Sequence, residues 1–230
     1  SSLLTRYGYT WNEKTPTGKL KTTWTPEYVG WAKEAKFNDP LTKYTLDKYL
    51  QNALEDIERA KSLKQACLEE CGKPDIKPYV DAISRLLGID SISAITFVAS
   101  MGDFERFTNG RSVSAYYGFT PQRKQSDGKD KSSRKITKAG DTLCRLIILE
   151  GMCGIGAARI NRKQLKKGQI VSQQIEAEAY KCNMRNRTRY RDLVAKGKHP
   201  NVAKVAVASE AVRDMWIIGR MVQRELSSQA

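Results

Sequence analysis

Apolar residues along this chain recur mostly at intervals of three and four, the helical period, and almost never in strict alternation. The first 23 residues are the exception: Gly8, Pro16 and Gly18 punctuate a stretch with no sustained period, which predicts an irregular arm. "TPEYVGWAKEAKF" then signals a short helix, with Thr25 as N-cap and Pro26 at the first helical position. "NDPLTKYTL" repeats the device with Asp39 and Pro40. From there Leu46, Leu50, Ala53, Ile57, Ala60, Cys67 and Cys71 follow gaps of four and three, with Lys64 in the one polar slot. That heptad seam predicts a helix of about 30 residues and about 45 Å. It fits a coiled coil joining copies of the chain and equally a long helix packed inside one domain.

Gly72 and Pro74 end this helix. In "YVDAISRLLGIDSISAITFVASMGDF", Gly88 interrupts two amphipathic stretches, and Asp90 or Ser91 can cap the second. This is a helix-hairpin-helix layout, in which backbone N–H groups of Gly88, Ile89, Asp90 and Ser91 can meet a nucleic-acid phosphate; any helical hairpin also needs such a turn. Asp103 is a further cap. Val113, Tyr116, Tyr117 and Phe119 read as core, with base stacking open to either tyrosine. Thr137 is expected to cap a buried central helix through "KAGDTLCRLIILEGMCGI". The glycines of "GMCGIGAA" lack the order of a dinucleotide fingerprint and read as a helix end. Two further helices, roughly 170–196 and 200–226, flank "KGKHPN", where His199 reads as solvated turn. Arg185, Arg187, Arg189 and Arg191 alternate, which spreads them around the first of these helices. The predicted fold is all-α: an arm (1–38), a coiled-coil-like helix (39–75), a helix-hairpin-helix domain (76–160) and basic C-terminal helices (161–230).

Composition adds a partner class. Forty Lys and Arg against 25 Asp and Glu give a formal charge of +15 over 230 residues, which favours a polyanion through counterion release; nucleic acid is the first candidate. Five cysteines without a CxxC pair or a nearby histidine indicate reduced thiols, with neither a disulfide framework nor a zinc site. No apolar run approaches the roughly 20 residues of a membrane span. With no signal-peptide pattern and Ser1 in place of methionine, the chain is expected to be a cytoplasmic fragment of something longer.

Chemistry is sparse. The carboxylates Asp81, Asp90, Asp103, Glu105, Asp141 and Glu150 show no spacing that builds a two-metal site, and a lone histidine disfavours a serine–histidine–acid system. What remains is a hydroxyl among cations. "YYGFTPQRKQSDGKDKSSRKITKAG" (116–140) sheds every large apolar residue between Phe119 and Ile136 and reads as a loop. It holds Ser126, Ser132 and Ser133 among Arg123, Lys124, Lys129, Lys131, Arg134, Lys135 and Lys138, with only Asp127 and Asp130 opposing. Such a loop can draw in a phosphodiester or can simply be solvated.

The run from Leu86 to Gly151 resembles the C-terminal transposase domain of the insertion sequence 110 family, which includes the pilin-gene inverting recombinases. The likeness is carried by "MGDFERF", "AYYGFTP", "SDG" and "RKITKAGD" in order after the "GI" turn. "LLTRYG", "FNDP" and the long helix are similar to the family's linker and coiled coil. The resemblance implies a DNA transposase or recombinase guided by a bridge RNA, assembled into homo-oligomers through the coiled coil, prokaryotic and nucleoid-associated. Its catalytic serine falls on Ser126, and Arg123, Lys124, Lys129, Lys131, Arg134, Lys135, Thr137 and Lys138 would line the nucleic acid. The family's metal-binding RuvC-like half has no counterpart in these residues. No cofactor is therefore expected here, Mg²⁺ is expected in the full-length protein, and the fragment alone is expected to be inactive. Asp141 stands where the family pattern has Asn, and Asp127 adjoins Ser126.

Overall fold

The computed structural model describes residues 2–126, 129–158, 165 and 168–228, and for 123–126 and 129–134 the backbone alone. Regular secondary structure among these residues is helical apart from one isolated bridge and one two-stranded hairpin, in keeping with an all-α class. The chain divides into two compact units, Ser1–Gln65 and Ala66–Ala230. No described helix is long and apolar enough to cross a membrane.

The first unit holds helices α1 (Ser2–Arg6) and α2 (Pro26–Lys33) and most of α3 (Pro40–Glu70). Helix α2 starts where the sequence predicts: the Thr25 hydroxyl accepts the Tyr28 N–H at 3.2 Å, and Pro26 follows the cap. Asp39 likewise accepts the N–H groups of Leu41 and Thr42 at 3.1 and 3.0 Å. The expected irregular arm contains α1, too short to display a period. Its Leu4 is buried with Ala32, Ala35, Leu46 and Leu50 in a small core. Trp11 extends that packing, its ring 5.4 Å from Tyr28 and 5.3 Å from Trp31. Of the 31 residues of α3 only Leu46 and Leu50 are buried. Beyond them Leu54, Leu63 and Leu68 are exposed, and the seam residues Ala53, Ile57 and Cys67 are half-buried.

The second unit contains α4 (Lys77–Ile83), α5 (Ser91–Met101), α6 (Gly110–Tyr116), strands β1 (Pro121–Ser126) and β2 (Lys129–Ile136), α7 (Thr142–Gly151), α8 (Gln173–Ala195) and α9 (Pro200–Ser227). Its central helix is α9, and this corrects the expectation for α7. Leu143 and Leu146 of α7 are 61% and 50% exposed, whereas α9 buries Val207, Val212, Met215, Trp216, Ile218 and Val222 with several alanines. Alanines and Gly219 let neighbours approach α9 closely: a Cβ at 219 would collide with the Phe104 ring. The Trp216 indole N–H also donates to the Phe104 carbonyl at 2.8 Å. The hydropathy of α7 overstated its burial because apolar content, without its partners, does not say which side is covered.

Helix α8 lies antiparallel on α9 through two rungs, Arg185 with Asp214 and Arg189 with Glu210. Asn186 completes the first by donating to Asp214 at 2.8 Å. Burial pushes the Asp214 and Glu210 carboxyls up, against the lowering pull of their arginines. Two of the arginines read as free surface charge are thus held by α9. Near its middle α8 also holds the α4–α5 connection: Asn183 donates to the Arg85 carbonyl at 3.1 Å and accepts the Leu87 N–H at 2.7 Å. His199 caps α9, its Nδ1 accepting the Asn201 N–H at 3.2 Å. The cations Arg159, Arg162, Lys163, Lys166 and Lys167 lie outside the described residues.

Candidate nucleic-acid interface

The cationic segment between α6 and α7 is a hairpin, not the loop its lack of large apolar residues suggested. Strands β1 and β2 pair antiparallel with Arg123 opposite Ser132, Lys124 opposite Lys131, Gln125 opposite Asp130 and Ser126 opposite Lys129. The signal for this in the sequence is Asp127–Gly128, a dipeptide favoured in two-residue hairpin connections; both residues lie outside the described ones. Directly paired residues share a face of a hairpin, and i, i+2 residues continue it. Register therefore groups Ser126 with Lys124, Lys129 and Lys131, and Arg123, Asp130 and Ser132 fall on the opposite face. Toward the root the register shifts between Pro121 and Arg123, and the alternation does not carry through to Ser133, Arg134 and Lys135. Ser126 and Ser132, which composition could not tell apart, are separated by the pairing.

A two-stranded hairpin is marginal in isolation, so this one depends on its root. There Thr137 N–H donates to the Thr120 carbonyl at 2.9 Å and Lys138 N–H to the Gly118 carbonyl at 3.1 Å. Gly118 and Gly140 both adopt positive φ, 71° and 70°, and their backbones meet the opposite segment directly. A Cβ at 140 would collide with the Tyr116 carbonyl oxygen, and one at 118 with Ala139. Arg145, 6% exposed, closes the crossing from α7. Its Nη1 donates to the Tyr117 carbonyl at 3.1 Å and to the Ala139 carbonyl at 2.7 Å, while Nη2 reaches Thr142 Oγ1 at 3.2 Å. One guanidinium thus holds both feet of the hairpin. Phe119 and Ile136 anchor it to the core.

Thr137 does not cap α7; it belongs to this root. Lys138 follows with φ 58°, and the cap is Asp141, which accepts the Cys144 N–H at 3.0 Å. That bond, with one from Ser100, holds the Asp141 carboxyl below its ordinary 3.8. Asn and Asp serve about equally at an N-cap, so Asp at this position keeps the local structure that Asn would make. Lys135 and Lys138 are exposed.

The 88–91 turn is a second place where backbone and nucleic acid could meet. Gly88 (φ 79°) and Gly151 press backbone to backbone, and a Cβ on either would strike the other's carbonyl oxygen. Ile89 is buried in the core. Asp90 caps α5, accepting the Ser93 N–H at 2.8 Å, and Ser91 begins the helix. Any phosphate contact at this turn therefore falls to backbone, with the Asp90 carboxylate beside it.

Of the adjacent tyrosines, Tyr117 is fully buried and Tyr116 is 40% exposed. All five cysteines are free, and burial pushes the thiols of Cys144 and Cys182 up to about 12. Among the described residues no three His, Cys, Asp or Glu side chains converge as metal ligands.

With this geometry in hand, the comparisons fall in one class. Residues 80–168 match the model of the transposase IS116/IS110/IS902 family. The transposase candidate y4qE of Sinorhizobium fredii is 30% identical over 208 residues, 90% of this chain and 50% of that protein. A family 20 transposase candidate of Pseudomonas aeruginosa is 28% identical over 139 residues, 59% of this chain and 35% of its own. The transposase for insertion sequence element IS1111A of Coxiella burnetii is 29% identical over 69 residues, 30% of this chain and 19% of its own. The chain spans half the length of the Sinorhizobium relative and less of the other two.

The Asp141 cap has a pH signature. Because its carboxyl is held down in the fold, its contribution is full above about pH 4 and is lost as pH falls through the lowered value. At pH 7 Asp141→Ala should lower unfolding stability by about 1 kcal/mol, whereas Asp141→Asn should leave it nearly unchanged. In urea titrations the gap between wild type and Asp141→Ala should close on acidification while that of Asp141→Asn stays open. An Asp141→Ala protein as stable as wild type at pH 7 would remove Asp141 from the cap.

Proposed function

From the premise that residues 80–168 are a transposase domain of the IS116/IS110/IS902 family, we propose that this chain is the C-terminal part of a DNA transposase or recombinase whose hairpin carries the nucleophile. In this reading Ser126 Oγ attacks the phosphorus of a DNA phosphodiester. A new P–Oγ bond forms, the bond to the departing deoxyribose oxygen breaks, the seryl proton passes to solvent or a base, and the departing oxygen takes up a proton. Reversal onto a second strand end rejoins DNA without loss of bond energy. The observation that carries this assignment is the register: Ser126 shares a hairpin face with Lys124, Lys129 and Lys131, cations suited to neutralising a phosphate, while Ser132 falls on the other face with Asp130. Arg123 on that other face, and Arg134, Lys135, Thr137 and Lys138 toward the root, contact flanking phosphates. The backbone of Gly88, Ile89, Asp90 and Ser91 supplies a further, weaker contact.

Metal binding in this reading belongs to other parts of the full-length protein; the described residues offer no convergent carboxylates for Mg²⁺. A guide RNA is a partner in the same reading, on the strength of the family resemblance and the charge of +15.

Helix α3 serves assembly in this account. Leu54, Leu63 and Leu68, exposed beside the Ala53, Ile57, Ala60 and Cys67 seam, give it an apolar surface suited to the same helix of a second copy. By sedimentation, wild type should self-associate and Ile57→Glu should be a monomer of unchanged helicity; a monomeric wild type contradicts the assembly role.

Denaturing gels test the chemistry. Full-length protein with its guide should form a covalent adduct with DNA that is lost in Ser126→Ala and kept in Ser132→Ala. An adduct surviving Ser126→Ala refutes the nucleophile. Loss of DNA binding in both variants would instead favour a hairpin that only grips backbone.

A further inference from the structure

Tyr116 closes α6 five residues before the hairpin begins, and its carbonyl is the group against which Gly140 packs. Its ring is therefore fixed at the hairpin root while staying 40% exposed. The Phe107 ring lies 5.4 Å away and that of Tyr117 5.0 Å away, edge-on. Over Tyr116 sits the Arg106 guanidinium, 4.5 Å from the ring centroid, and it lies 4.7 Å from that of Phe107 as well.

Arg106 is exposed, and among the described residues no carboxylate comes within ion-pair distance of it. Its Nη2 reaches only the Ser100 carbonyl, at 3.4 Å. The two acids just before it in the chain have hydrogen-bond and ion-pair partners elsewhere: Asp103, whose carboxyl also feels the Arg106 charge, with Gln223 and the Glu105 N–H, and Glu105 with Arg220 and Arg224. Aromatic support thus holds a net positive charge beside an open tyrosine ring. Exposed Arg111, Lys135 and Lys138 extend the cationic surface along the neighbouring sequence.

A rigid, half-open aromatic ring carrying a planar cation matches the needs of one ligand class, a nucleotide whose base is out of the helix stack. The base gains stacking on the ring and on the guanidinium plane, and its phosphate gains the charge. We propose that Arg106 and Tyr116 form a stacking platform for one unpaired nucleotide of a nucleic-acid strand entering at the hairpin root. This rests on the reading that the hairpin meets nucleic acid, and adds where a strand beside the phosphodiester is gripped. The platform recognises unstacked bases without reading their identity, because every base presents a π face. It thereby selects strands that are already open at the site of exchange. The neighbouring Tyr117, buried against Phe97 at 5.5 Å, has no part in it.

Binding of the 230-residue chain to single-stranded DNA and RNA oligonucleotides of one sequence, each carrying a 2-aminopurine, tests this. Wild type should quench the probe; Tyr116→Ala should abolish the quench and weaken binding about tenfold. The slope of log K against log salt should not change in Tyr116→Ala, while Arg106→Gln should reduce it by about 0.7. Tyr116→Phe should behave as wild type, and Tyr116→Leu, which keeps the bulk at the root, should reproduce the alanine defect with an unchanged circular dichroism melt. Tighter binding of one oligonucleotide names the strand as DNA or RNA. If folded Tyr116→Leu binds and quenches like wild type, the platform is refuted and the hairpin reading stands. If wild type binds neither oligonucleotide, both fall.

Discussion

The candidate site depends on one crossing of backbone. Gly118 and Gly140 bring the two feet of the hairpin into contact that no side chain could occupy, and Arg145 donates to a carbonyl on each foot. A two-stranded ribbon with no apolar face of its own lacks the burial that would hold it to a protein. Here the root supplies the missing constraint, with Phe119 and Ile136 as its apolar anchors. A buried guanidinium is costly unless its donors are satisfied, and carbonyls on the segments flanking both strands, with the Thr142 hydroxyl, accept from it. Arg145 is thus the link through which α7, capped by Asp141, fixes where the strands leave the domain.

The rest of the second unit explains why that link is rigid. Helix α9 forms the centre, α8 is fastened to it by two carboxylate–arginine rungs, and Asn183 of α8 fastens the α4–α5 turn. That turn meets the end of α7 at Gly88 and Gly151. The C-terminal helices, which carried no motif, are therefore what the motif-bearing residues are built on. Charge follows the same logic. Arg185 and Arg189 serve the fold, whereas Lys135, Lys138 and Arg106 near the hairpin root are exposed.

Legibility from sequence tracked how local each determinant was. The caps at Thr25, Asp39, Asp90 and Asp103 were readable because a side chain and an N–H two or three residues on suffice to make them. The length of α3 was readable from its heptads. The hairpin lacks the large apolar residues that mark a buried strand, and its one local sign is Asp127–Gly128 between polar runs. The cap of α7 was misplaced from Asp141 to Thr137 because the root bonds that occupy Thr137 come from across the hairpin. The central role of α9 was hidden because packing against α4, α6 and α8 leaves no local trace. Ser126 stood out from three serines by motif resemblance, and only register showed which cations share its face. Tyr116 and Tyr117 were equivalent in sequence and are opposite in exposure.

The central claim is that the Arg145 crossing holds the hairpin in place. Hydrogen exchange of the Thr137 and Lys138 amides, whose acceptors are Thr120 and Gly118 across the root, measures it directly. In wild type both amides should exchange slowly; in Arg145→Met they should lose that protection while amides in the middle of α9 keep theirs. Unchanged protection of Thr137 and Lys138 in Arg145→Met would contradict the account.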